Sequence, residues 1–243
     1  MRSVIVLPTY NEAENIVDFL RAVHAAAPDC DVLVVDDCSP DGTADLAEQV
    51  AGELGGVKVL RRNGKPSLGD AYRHGFTVAF DEDYPVIVSM DADFSHDPAV
   101  IPRMLELVEA GADVVVGSRY VPGGGTVHWP ARRRLLSKWG NRYTASMLRL
   151  DVHDCTSGFR AYRAVRLRET DPASTTAEGY AFLTELVRAM VRRGARVEET
   201  PILFRDRARG TSKMSWPIIA ESMLLVTRWG VVERWQRLRS RGW

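Results

Sequence analysis

Cysteine is scarce in this sequence: Cys30, Cys38 and Cys155 are three in number and show neither zinc-like nor redox spacing. So scattered a set reads as buried or incidental thiols in a reducing compartment. No uninterrupted apolar run reaches the length of a membrane span, and the chain enters a strand without a charged-then-apolar leader. Neither a spanning segment nor secretion is therefore expected. No sign of charge prevails, since 32 Lys and Arg balance 32 Asp and Glu, so no global field argues for nucleic acid. Lysine is confined to positions 58, 65, 138 and 213, which makes an isolated Arg uninformative and a cluster of Arg worth noting. The first strand is followed by Pro8-Thr-Tyr-Asn-Glu12, without glycine, and no Gly-x4-Gly-Lys loop occurs. A dinucleotide-binding dehydrogenase needs such a glycine turn to admit a pyrophosphate, so that class is not expected. Internal repeats and low-complexity segments are absent as well.

What is present suits an ordinary globular protein. The 243 residues, 45% apolar and 26% charged, fit one large domain, or one domain with an appendage. Apolar periodicity predicts strands over 3–7, 31–36, 57–60, 86–90 and 113–117. Helices are predicted between them, over 16–27, 44–54, 68–80 and 98–109. Alternation on this spacing means a parallel, doubly wound α/β sheet, whose ligands sit beyond the carboxyl ends of the strands. Pro8–Glu12, Asp36-Asp37 and Asp91–Asp93 all fall there, so three acid-bearing strand ends converge on one crevice.

The centre of that crevice is Val86-Ile-Val-Ser-Met-Asp-Ala-Asp-Phe-Ser-His-Asp97. Along an extended chain residues i and i+2 share a face, so Asp91 and Asp93 can point at one spot. Two like charges there repel unless a cation lies between them. A few oxygen ligands suit a hard divalent ion shared with a phosphate-bearing substrate. A strand that ends in solvated acidic turn residues is the plain alternative.

The second half changes character. Gly123–Gly125 is expected to be a mobile loop. Arg132-Arg133-Arg134 opens a helix through Leu150 whose apolar residues Leu135, Trp139, Tyr143 and Met147 recur every fourth position. Such a helix packs on the domain or lies among lipid headgroups, and its periodicity alone favours packing. His153–Arg160 is a turn into a short strand, 179–191 a helix, and 196–204 a strand interrupted by Pro201. A basic loop, Arg205–Lys213, and a helix from Ser215 rich in Trp and Arg complete the chain. That last pattern suits a membrane interface or a protein partner's groove. The five histidines have no ligand-like spacing and are expected outside the mechanism.

Six motifs now stand in order: Pro8-Thr-Tyr-Asn-Glu12, Asp36-Asp37-x-Ser-Pro-Asp-Gly42, Asp91-Ala-Asp93, Gly117-Ser-Arg-Tyr120, Thr156-Ser-Gly-Phe-Arg160 and Arg207-x5-Lys213. Together they resemble the dolichol-phosphate mannosyltransferases, or polyprenol monophosphomannose synthases, of glycosyltransferase family 2. The resemblance implies a GT-A fold that moves mannose from GDP-mannose to a polyprenyl phosphate with Mg²⁺ or Mn²⁺, inverting the sugar linkage. By position it implies that Pro8, Tyr10, Glu12, Val35 and Asp37 hold the nucleoside. Asp91, Ala92 and Asp93 would hold metal and diphosphate, and Arg119, Arg207 and Lys213 would grip phosphates of donor or acceptor. Arg133 and Ser137 would join Arg119 at the lipid phosphate, which tips the basic helix towards membrane contact. The expected organisation is a catalytic domain over 1–213, divided near 120 into a nucleotide-sugar half and an acceptor half, with an amphipathic helix over 214–243 at the membrane or an integral-membrane partner. The expected location is peripheral, on the cytoplasmic face. The chain departs from the family pattern at Ser95, where some members carry Gln as a further metal ligand, and at Leu183, where Gln is usual. UDP-glucose as donor, a sugar transferase acting on a glycan or protein, and a non-catalytic nucleotide-sugar-binding subunit are the competing readings.

Overall fold

The computed structural model describes residues 1–206 and 216–240. Strands β1 (Ser3–Thr9), β2 (Cys30–Asp36), β3 (Val57–Arg61), β4 (Val86–Ser89) and β5 (Val114–Ser118) fall where apolar periodicity places them. Helices α1 (Ile16–Ala26), α2 (Thr43–Leu54), α3 (Leu68–Asp81) and α4 (Ile101–Glu109) alternate with them. After these come β6 (Gly125–Thr126), α5 (Ala131–Leu148), β7 (Arg160–Arg163), α6 (Ala164–Glu169), α7 (Gly179–Arg192), β8 (Val197–Pro201), β9 (Leu203–Phe204) and α8 (Trp216–Ser240).

Seven strands form the main sheet in the order β3-β2-β1-β4-β7-β5-β8. All neighbours are parallel except β7, which runs antiparallel to β4 and β5. Helices cover both faces, so the central strands are apolar throughout, and their period of two deals side chains alternately to two cores. Ile5, Leu7 and Val34 pack with Phe19, Leu20 and Met104 of α1 and α4. Val4, Val6 and Val35 pack with Tyr72 and Phe76 of α3 and Phe182 of α7. At Gly75 the helix α3 lies directly on the sheet, because a Cβ there would come within 2.3 Å of the Val6 side chain.

The antiparallel strand decides where the site forms. Arg160, the first residue of β7, pairs with Ser89 at the end of β4 and with Val116 near the end of β5. The segment leading into β7, residues 154–159, therefore lies at the same edge as the carboxyl ends of β4 and β5.

Four expectations change. Gly123–Gly125 is not a loose loop: Gly125-Thr126 pairs in parallel with Leu203-Phe204, and a Cβ at Gly124 would meet the Ser118 carbonyl at 2.5 Å. The predicted strand over 196–204 divides after Pro201, β8 joining the main sheet and β9 pairing with β6. Helix α5 turns Asn141, Thr144 and Leu148 inward and leaves Leu135, Leu136 and Trp139 exposed, so much of its apolar stripe faces outward. Helix α8 is not cleanly amphipathic: it buries Val226 and Glu233 while exposing Leu224, Val231, Val232 and Trp235. It is docked on the domain through Tyr143–Thr227 (2.7 Å), through Gly230 against Met147, and through Glu233 paired with Arg188 and Arg192 of α7. None of the described helices is long and apolar enough to cross a membrane.

Candidate active site

The loops after β1 and β2 are stitched together. The amide of Asn11 donates to Ser39 Oγ (3.0 Å), that of Glu12 to Thr43 Oγ1 (2.9 Å) and that of Ala13 to Asp41 (3.0 Å). Burial would raise the Asp41 pKa, but hydrogen bonds from the Thr43 hydroxyl and the Ala13 and Thr43 amides bring it below the usual carboxylate value. Pro8 and Tyr10 are half-buried beside this seam and Glu12 is buried, its carboxylate accepting from Asn15 (3.0 Å). The Asp37 carboxylate accepts from the Ser67 amide (2.8 Å) and pairs with Arg62, so it also braces the segment after β3. Val35 is fully buried, its side chain beneath α3 and its main chain between β1 and β3, so it offers a ligand no exposed surface.

Strand β4 stops at Ser89, so Asp91 and Asp93 stand on a turn beyond it rather than on an extended strand. Alternation is not what aligns them. Asp93 is 3% exposed, and its Oδ1 accepts the Ser95 amide at 3.0 Å. The Asp91 side chain is 24% exposed, with His96 Nε2 4.0 Å from its Oδ2. His96 is buried, and burial pushes its pKa down to about 4, with Asp93 opposing the fall. It is therefore neutral near pH 7 and adds no cation beside the two carboxylates.

Arg119 follows β5 and is buried. Its Nε and Nη2 form a two-pronged pair with Asp154 (2.6 and 2.7 Å), its amide donates to the same carboxylate (3.0 Å), and Nη2 also reaches Thr156 Oγ1 (2.8 Å). Burial alone would raise the Asp154 pKa, but the charge and hydrogen bonds of Arg119 hold it below the usual carboxylate range. Ser137 accepts from the Tyr120 hydroxyl at 2.6 Å. Arg133 lies 3.9 Å over the Trp129 ring and pairs with Asp206 (2.8 Å), which also accepts from Trp129 Nε1 (3.0 Å). The Phe204 ring is the hub, its centroid 5.3 Å from His96, 5.4 Å from Trp129 and 5.4 Å from the Arg119 guanidinium carbon.

Around Trp129, Tyr120 and Phe204 the fold thus gathers Arg119, Arg133 and Ser137, and Phe204 joins them to the Asp91–His96 turn. Arg207 and Lys213 lie outside the described residues. Sequence reading passed over Arg62, His96, Trp129, Asp154 and Phe204. His96, three residues beyond Asp93, could have been suspected from position alone. For Asp154 the signal was its place just ahead of Thr156-Ser-Gly-Phe-Arg160.

The residues present fit a divalent ion shared with phosphate. Among the described residues no three acidic, His or Cys side chains cluster as a self-sufficient metal cage, so Asp91 and Asp93 leave most ligand positions to other oxygens. A Cβ at Gly158 would stand 3.4 Å from Asp91 Oδ2, on ground beside that carboxylate which glycine leaves open. Ser95 Oγ, His96 Nδ1 and Ser157 Oγ, close in sequence to Asp93 and Gly158, are buried with no hydrogen-bond partner among the described residues, leaving polar capacity unspent at this turn.

Residues 4–170 match the glycosyl transferase family 2. The chain is 46% identical over 241 residues to the undecaprenyl-phosphate mannosyltransferase of Micrococcus luteus, covering 99% of each. It is 44% identical to the polyprenol monophosphomannose synthase of Mycolicibacterium smegmatis over 239 residues, 98% of this chain and 90% of that one. In fold it is similar to glucosyl-3-phosphoglycerate synthase of Mycobacterium tuberculosis, solved with Mn²⁺, UDP-glucose and phosphoglyceric acid. There the TM-score is 0.68 at 17% identity, over 96% of this chain and 79% of that one.

Proposed function

The chain belongs to glycosyl transferase family 2, and from that membership we propose that it is an inverting polyprenyl-phosphate β-D-mannosyltransferase using GDP-mannose. The observation that carries this reading is the gathering of Arg119, Arg133 and Ser137 across Phe204 from the Asp91–His96 turn. A nucleoside diphosphate and a second phosphate need cationic and acidic walls of this kind, face to face.

The acceptor is a phosphate monoester, carrying about −1.5 to −2 charge at neutral pH. It is already an anionic nucleophile, so the chain has no proton to remove. Asp154 is fully buried and bound to Arg119, which suits it to holding that side chain rather than to acting as a general base. An acceptor oxygen attacks the anomeric carbon as the bond to the diphosphate breaks, converting an α-linked donor to a β-linked product. Arg119 and Arg133 offset repulsion between the two phosphate groups, guanidinium being suited to hold phosphate in a fixed pose. Ser137 adds a hydroxyl on the same wall. Pro8, Tyr10, Glu12 and Asp37 form the nucleoside wall, with Val35 buried behind it and Ala92 and the paired carboxylates beside the diphosphate. Mg²⁺ or Mn²⁺ held by Asp91 and Asp93 would supply Lewis-acid stabilisation of the departing diphosphate. Arg207 and Lys213 are assigned to the phosphates by resemblance alone.

Labelled GDP-mannose incubated with polyprenyl phosphate and Mg²⁺ or Mn²⁺ tests the reading. Label should move into the organic phase. Preference for UDP-glucose, label on a water-soluble glycan, or nucleotide-sugar binding without turnover would each overturn it.

The acceptor is a lipid, and the exposed part of α5 fits a peripheral position at the cytoplasmic face of a membrane. Leu135 (67% exposed) and Trp139 (57%) stand among Arg132, Arg134, Lys138 and Arg142. Apolar anchors ringed by cations are the composition of an interfacial helix on anionic lipid. An integral-membrane partner could use the same surface. Replacing Leu135 and Trp139 together by Ser should weaken binding to phosphatidylglycerol-containing vesicles by about 10- to 100-fold. Donor affinity should be unchanged. Co-sedimentation equal to that of the unaltered protein would contradict the placement.

A further inference from the structure

The geometry points to Asp154 as the positioning residue that sets the pose of Arg119 towards the acceptor phosphate. The inference rests on the reading of Arg119 as a contact of that phosphate.

Asp154 reaches this place by topology. It precedes the antiparallel β7, whose first residue pairs with both β4 and β5, and so it lies against the residue that follows β5. Three of its hydrogen bonds come from Arg119, one from the main chain and two from the guanidinium edge. The carboxylate is itself held. Its backbone amide donates to Glu199 Oε1 (3.1 Å) and that of His153 to Oε2 (2.9 Å), pinning the turn to β8. Thr156 fixes Nη2 from a second direction, and Asn141 of α5 donates to that hydroxyl at 3.2 Å. Both the guanidinium plane and its rotation are thereby set.

A buried ion pair gives little stability over well-packed apolar residues, because desolvation offsets most of its attraction. What this pair supplies is direction. A guanidinium is planar, and its donors form a rigid fork, so binding one edge to a carboxylate fixes where the rest of the plane points. The rings of Tyr120, Trp129 and Phe204 lie 5.3, 5.9 and 5.4 Å from the guanidinium carbon. They exclude water and make that charge count for more than it would at the surface.

Asp154→Asn keeps the shape and removes the charge. It should lower kcat/KM for polyprenyl phosphate by about 10- to 100-fold, as outer partners of a working side chain do, with KM for GDP-mannose unchanged. Added to Arg119→Ala, it should cause no further loss. Methylguanidinium should restore part of the activity of Arg119→Ala, and that rescue should vanish when Asp154→Asn is added. A structural role would not make rescue depend on the carboxylate. Losses that multiply in the double variant, or rescue that persists without the carboxylate, would overturn the assignment. If Arg119→Ala alone leaves acceptor kinetics untouched, the acceptor role of Arg119 fails and the positioning role with it. That result is distinct from unimpaired Asp154→Asn beside a crippled Arg119→Ala, which sinks the positioning role alone. Should Asp154→Asn unfold, Thr156→Val removes one acceptor of Nη2 while keeping the ion pair. It should show a smaller loss with the same absence of additivity, and multiplying losses there would overturn the assignment equally.

Discussion

Asp93→Ala should lower mannosyl transfer by about 10³-fold or more while the chain stays folded, since a bound divalent ion contributes several kcal/mol to a departing diphosphate and each ~1.4 kcal/mol is tenfold in rate. The expectation follows from how little else could replace this carboxylate. Asp91 and Asp93 are the acidic side chains on the turn after β4, and no group of three potential metal-binding side chains occurs among the described residues. The substitution removes the acceptor of the Ser95 amide, at a cost of about 1–3 kcal/mol if that group stays buried. A domain stable by about 5–15 kcal/mol tolerates such a loss. The assay is transfer of label to the organic phase across a Mn²⁺ titration, with thermal unfolding of the same sample as the control for folding. Substantial Mn²⁺-dependent transfer by the folded variant would remove Asp93 from the site.

Arg160→Met should cost about 3–5 kcal/mol of folding stability, because it deprives several buried acceptors of their donor at about 1–3 kcal/mol each. Arg160 is 0% exposed, yet among the described residues its guanidinium donates only to main-chain carbonyls: Ser157 (2.8 Å), Cys155 (2.7 Å) and Leu183. One side chain thus ties the turn that carries Asp154, Thr156 and Gly158 to helix α7. Methionine fills much of the same space but offers no donor. Urea unfolding followed by circular dichroism measures the loss, and transfer activity should fall with it as the turn loosens. A stability within about 1 kcal/mol of the unaltered protein would mean that those carbonyls find other partners.

The architecture was legible because each parallel strand and its helix repeat a local pattern that tolerates small errors at the ends. The three acid-bearing strand ends were legible for the same reason. Other contacts were hidden because they depend on chain segments brought together from far apart. Asp154 is 35 positions from Arg119, and Trp129 is 77 from Asp206. No periodicity encodes such pairs. The apolar spacing of α5 marked the helix but not how its stripe divides: Tyr143 and Met147 pack against α8, Leu135 and Trp139 face outward, and Asn141 turns inward to Thr156. The alternation used to align Asp91 with Asp93 does not apply, because β4 stops at Ser89 and a hydrogen-bonded turn takes over.

The short ribbon of β6 with β9 has a bearing on how the polypeptide acquires its shape. It fastens the stretch after β5 to the stretch after β8, so the aromatic box around Arg119 waits for residues near 204. The seam between the first two loops needs nothing beyond residue 43. Closing distant contacts is slow relative to closing near ones. In a chain made from its amino end, the seam proposed for the nucleotide is therefore expected to close before the aromatic box proposed for the acceptor phosphate.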